Sequence, residues 1–168
     1  RGFVLDNTSD FELRIKEILN LCWQKFDETQ KSSLTEVLLK LLDRKKAWVA
    51  NQVEAAKSAP SIFESANNDK YLLSISDRLD IFQAILPILS TTYGFPATAC
   101  PSNFKQYYID KVNVYRNKLG HITLGEKTIR IKEKETEINQ ELHRTLRKNI
   151  AEVDSKICSI EEHLTTNM

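Results

Sequence analysis

The stretch Asn113-Val114-Tyr115-Arg116-Asn117-Lys118-Leu119-Gly120-His121-Ile122 places an arginine, an asparagine and a histidine close together. An imidazole titrates near neutral pH and moves protons as a general acid or base. A guanidinium holds a phosphate bidentately and stabilises charge that develops on it. An asparagine can orient either the substrate or the imidazole. Such a set needs no metal and no cofactor. It suits attack of a ribose 2′-hydroxyl on the neighbouring phosphate, which RNA allows and DNA, lacking that hydroxyl, does not.

Spacing decides whether the three can act together. In an uninterrupted helix, Arg116 and His121 would point about 140° apart. A helix that stops at Leu119, with Gly120 as a left-handed cap, would swing His121 off the axis toward Arg116, leaving both substantially exposed. Capping explains the same residues differently. Cations favour the negative end of a helix dipole, and glycine terminates the helix. The sequence leaves both readings open.

From Pro101 to Lys134 the chain carries eight basic residues (Lys105, Lys111, Arg116, Lys118, Lys127, Arg130, Lys132, Lys134) against Asp110, Glu126 and Glu133. Tyr107, Tyr108 and Tyr115 are interleaved with them. Basic and aromatic residues together can form a surface for single-stranded nucleic acid. Lys111, Lys118 and Tyr115, nearest the trio, are the expected substrate contacts. The competing reading makes the tyrosines core residues and the lysines a solvated face, and for the tyrosines it is the stronger.

The rest of the chain narrows the alternatives. Its 168 residues suffice for one domain with a proper core, and a net charge of +1 gives no global pull toward nucleic acid. A start at Arg1 suggests a fragment, with residues 1–8 the tail of a preceding module or a linker and 9–168 a single domain. Cys22, Cys100 and Cys158 lack any CxxC or zinc spacing and read as reduced thiols of a cytoplasmic protein. His143 and His163 have no ligand-spaced partner, so no metal is expected. The four glycines are too scattered for a phosphate loop, and no run approaches the roughly 20 apolar residues that span a bilayer.

The elements that must position the motif read as helices. "SDFE" at Ser9 and "SLTE" at Ser33 are capping boxes, predicting helices from Ser9 to about Asp27 and from Ser33 to near Ser58, before Pro60. Trp48 belongs to the apolar stripe of the second. Residues 59–73 read as a loop with at most one helical turn. A third helix starts at Ser74 or Ser76, carries Pro87 and a kink near residues 83–87, and ends at Gly94 and Pro96. Phe104, Tyr108, Val112, Tyr115 and Leu119 form the stripe of a fourth. "LGHITLGE" interrupts, with Gly125 as a turn residue, and a long helix runs from about Glu133 to Leu164. Its stripe, from Ile138 to Leu164, fits a bundle core or, alternatively, a short coiled-coil seam for a second copy. No strand pattern competes. The fold class is all-α: an up-and-down bundle of four to five helices with a long C-terminal helix.

"RNKLGH" resembles the R-N-x-x-x-H form of the Arg-x4–6-His motif of the HEPN superfamily, whose members are all-α bundles with the motif where one helix ends. The motif covers residues 116–121; the similarity of fold covers about residues 10–164. The resemblance implies a metal-independent endoribonuclease, often a toxin or defence effector, leaving 2′,3′-cyclic phosphate and 5′-hydroxyl ends. It implies a homodimer whose two motifs face one cleft. Arg116 would hold the phosphate, Asn117 would position, and His121 would act as acid or base. The branch neutralised by nucleotidyltransferases has a tyrosine two residues after the histidine; here that residue is Thr123. Other members are inactive and serve as dimerisation or partner-binding modules. The opening "GFVLD" resembles the end of a receiver-type domain, which would place a regulator in the same chain.

Overall fold

Ser74 and Gly94 bracket a helix as the sequence predicts. The Ser74 hydroxyl accepts from the Asp77 backbone N–H, the Asp77 carboxylate accepts from the Ser74 N–H, and Gly94 closes the far end with a φ of +71°. These contacts come from a computed structural model that describes residues 2–45, 49–69, 71–121 and 126–167, with backbone alone for residues 2–8. Trp48, Thr123 and Gly125 lie outside the described residues.

In chain order the elements are α1 (Gly2–Lys25), α2 (Glu28–Leu42), α3 (Ala50–Lys57), α4 (Ile62–Asn68), α5 (Ile75–Tyr93), α6 (Phe104–Tyr108), a π-helical turn (Ile109–Asn113), α7 (Val114–Gly120), β1 (Thr128–Ile131), β2 (Lys134–Glu137) and α8 (Gln140–Asn167). The fold is mostly α, with a long C-terminal helix. No helix among the described residues is long and apolar enough to cross a membrane.

Helix α1 packs against α4, α5, α7 and α8. Its buried residues Phe11, Ile15, Ile18, Leu19 and Cys22 meet the α8 stripe of Leu142, Leu146, Ile150, Val153, Ile157, Ile160 and Leu164 in one core. Arg14 clips the two helices together: its Nε and Nη2 donate to the two Glu161 oxygens at 2.9 and 2.6 Å, and Nη1 donates to Asp154. Full burial of large aliphatic side chains is worth roughly 1.5–3 kcal/mol each, so this shared core, rather than helix propensity, holds the elements.

Several boundaries differ from the sequence reading. α1 begins at Gly2, so Ser9 lies inside it and not at its N-cap. α2 is capped by Asp27, whose carboxylate accepts from the Gln30 N–H at 2.9 Å while the Gln30 side chain accepts from the Asp27 N–H, and Ser33 falls inside that helix. The single helix expected up to Ser58 is two, α2 and α3, although the end at Ser58 holds. The expected loop contains α4, capped by Ser61. α5, by contrast, runs through Pro87 to its cap at Gly94 as the sequence predicts.

The region expected to begin the long helix instead opens with an antiparallel hairpin pairing Thr128 with Glu137 and Ile131 with Lys134. Its two-residue loop holds Lys132 and Glu133 at φ of +46° and +66°. That conformation matches the twist of the strands, but Asn-Gly usually supplies it, so no turn signal marked the hairpin. Ile129 is buried from β1, which packs on α7.

Candidate functional site at the end of α7

The motif sits at the end of a helical rod made of α6, the π turn and α7. Phe104, Tyr108, Val112 and Leu119 bury one side of this rod. Tyr107 and Tyr115 pack partly against the core. The tyrosines thus serve mainly in packing. In the π turn the Val114 N–H reaches back to the Ile109 carbonyl. Asn149, a buried polar residue of α8, donates to the Lys111 carbonyl at 3.0 Å. The Lys111 ammonium meets Glu152 at 2.8 Å and lies over the Tyr107 ring. Lys111 is therefore engaged with α8.

The helix end expected at Leu119 falls one residue later. α7 stays helical through Gly120, and His121 caps it with φ −104° and ψ 8°, its N–H reaching the Lys118 carbonyl at 3.3 Å. α7 thus runs through Gly120 rather than stopping at Leu119, and along a helical path residues 116 and 121 are set about 140° apart. Arg116 is half-buried, and its Nη1 lies 3.1 Å from Glu12 Oε1 of α1. Asn117, Lys118 and His121 are exposed. Asn117 and His121, four residues apart, share a face of the helix end. The arrangement is a polar pair open to solvent on one face and an arginine drawn toward α1 on another.

Glu12 carried no signal in the sequence, because its partner lies several helices further along the chain and no spacing rule joins them. Its Oε1 is buried and makes no aligned hydrogen bond among the described residues, so Arg116 faces it by charge. The Tyr108 hydroxyl is also buried without a hydrogen-bond partner among the described residues. Burial pushes that phenol far up, Glu12 pushes it further, and Arg116 partly offsets both. It is a neutral group at any ordinary pH. Arg78 also feels the charge of Glu12, though burial outweighs it. Its donors are taken by the carbonyls of Leu73 at 2.6 Å, Asn67 at 3.0 Å and Asp69 at 3.3 Å, and by the Asn67 side chain.

The basic stretch is less basic in three dimensions than along the chain. Lys105 pairs with Asp80 at 2.6 Å, Lys111 with Glu152, Arg116 with Glu12 and Lys132 with Asp110 at 2.5 Å. Acids from α1, α5 and α8 thus neutralise much of the local excess. Lys118 makes no ion pair among the described residues and stays exposed beside the motif. His143 is exposed, whereas His163 stacks edge-on against Phe95 at 5.3 Å. The three cysteines are free thiols.

Comparison of the chain with family models, curated proteins and solved structures gave no match.

Proposed function

We propose that this chain is a HEPN-type, metal-independent endoribonuclease acting on single-stranded RNA as a homodimer, in the manner of a toxin or defence effector. The observation that carries the reading is the exposed Asn117–His121 pair at the end of α7, adjacent to an arginine steadied by Glu12. His121 supplies the proton-transfer group, Arg116 the phosphate-binding charge and Asn117 the positioning amide. Lys118 is the basic residue free to meet the RNA backbone, while Lys111 and Tyr115 act on RNA only at the margin of the site. A helix running through Gly120 would set Arg116 and His121 on different faces, which supports a composite working site that takes groups from two copies. A receiver-like module in the same chain would supply regulation.

The pairing of Arg116 with Glu12, and of half the basic stretch with neighbouring acids, favours a second reading: a non-catalytic helical module for dimerisation or partner binding. Cleavage separates the two. A mixed pool of single-stranded RNA is incubated with wild type, His121→Ala and His143→Ala in excess chelator. The ribonuclease reading expects cleavage by wild type and His143→Ala, cyclic phosphate ends, and loss with His121→Ala. Absence of cleavage by wild type across RNAs and pH favours the binding module.

A further inference from the structure

Arg14, Arg78 and Arg116 are held in two ways. Arg14 spends its donors on Glu161, Asp154 and the Cys158 sulfur. Arg78 spends its donors on three backbone carbonyls and a side-chain amide. Both act as clamps with little left to offer a ligand. Arg116 differs. Its guanidinium stands 3.1 Å from Glu12 Oε1, yet no N–H of it makes an aligned hydrogen bond among the described residues. The lysine pairs nearby are unlike it too, since Lys105 and Lys111 donate directly to Asp80 and Glu152 at 2.6 and 2.8 Å.

The surroundings explain how charge alone can hold this pair. The facing Glu12 oxygen is buried, and the Tyr108 ring, fully buried itself, packs edge-on against Phe11 next to Glu12. Opposite charges attract more strongly where water is excluded. The Arg116 side chain as a whole keeps 28% of its surface open to solvent. A planar fork with its N–H groups unspent is the form in which arginine takes a phosphate bidentately.

We propose that Glu12 is a positioning residue for Arg116: it fixes the guanidinium by charge while leaving its hydrogen-bond fork free for an RNA phosphate. This rests on the ribonuclease reading above. Glu12 touches no reacting atom; it acts by keeping the fork where charge develops and by tempering the arginine's attraction for phosphates out of place.

The test compares wild type, Glu12→Gln, Glu12→Asp and His143→Ala in steady-state RNA cleavage, each first shown to be folded by circular dichroism. Glu12→Gln keeps the shape and removes the charge. It is expected to lower kcat about ten- to hundredfold, less than loss of a whole stabilising donor, with KM unchanged or lower because the released arginine still binds phosphate. Glu12→Asp restores the charge and should recover part of kcat even if Glu12→Gln folds poorly. His143→Ala should match wild type. A folded Glu12→Gln with kcat within about twofold of wild type overturns the positioning role and leaves the ribonuclease reading standing. A wild type that cleaves no RNA removes the ribonuclease reading, and the positioning role with it.

Discussion

Arg116 of α7 faces Glu12 of α1 at 3.1 Å, and the facing carboxylate oxygen is shut away from solvent. Truncating the arginine therefore strands a partly buried negative charge. Arg116→Ala should cost about 1 kcal/mol of stability, more than a fully exposed ion pair would. His121→Ala, at an exposed helix end, should stay within about 0.5 kcal/mol. Urea unfolding of both variants checks this, and equal midpoints would mean that Glu12 is solvated without Arg116.

The catalytic expectation belongs to His121. If it moves protons, His121→Ala lowers the cleavage rate by about 10² to 10⁴, since general acid–base catalysis is typically worth that much. Because Arg116→Ala also loosens the α1–α7 contact, its activity must be read at a temperature where the variant is fully folded. A His121→Ala variant as fast as wild type would end the catalytic assignment.

Asp77 gives a prediction in pH. Burial alone would lift its carboxyl. Hydrogen bonds from Lys45 at 2.5 Å and from the Ser74 hydroxyl and N–H outweigh that, and the group titrates below the usual carboxylate range. The unfolded chain thus binds the proton more readily than the folded one. The stabilisation is complete above the unfolded value of about 3.9 and is lost as pH falls through the lower, folded value. Asp77→Asn should be less stable than wild type by about 1 kcal/mol at pH 7, with the gap closing progressively below about pH 4. Paired chemical unfolding curves from pH 7 to 2 would show it; a gap independent of pH would place the cost in the cap geometry.

Gly94 isolates a backbone effect. It holds φ +71° at the end of α5, and nothing lies within 4 Å of where a Cβ would stand. Gly94→Ala meets no clash, so its cost, about 1–2 kcal/mol, comes from the left-handed conformation alone. Gly94→Asn should recover part of it, because asparagine tolerates that region. Thermal unfolding of the two variants reads the order.

These sites also show what the sequence made legible. Ser74 and Gly94 were readable because a cap and a left-handed glycine are local devices that act on their own neighbours. Ser9 and Ser33 misled because a capping box works only where the preceding backbone leaves the helix, and here it does not. The hairpin was hidden because Lys132 and Glu133 adopt turn angles without the usual turn residues, amid charges that read as a solvated helix. The apolar stripes of α1, α5 and α8 were plain from their spacing. Of the motif, the residues were legible and the helix end was not, since α7 remains helical through Gly120. Glu12 could come only from the tertiary structure.

The π turn from Ile109 to Asn113 lends the rod a tolerance that ordinary helices lack. In a regular helix, deleting a residue rotates everything beyond it by about 100° and would carry Arg116 away from Glu12. A wide turn already holds one residue more than the regular repeat needs. Deleting one there would tighten the turn to the regular repeat and leave both flanks in phase, with Tyr108 still in the core and α7 still facing α1. The segment is a length reserve: the chain can shorten beside its polar motif without re-aiming it, whereas a deletion inside α7 itself would turn His121 to another face.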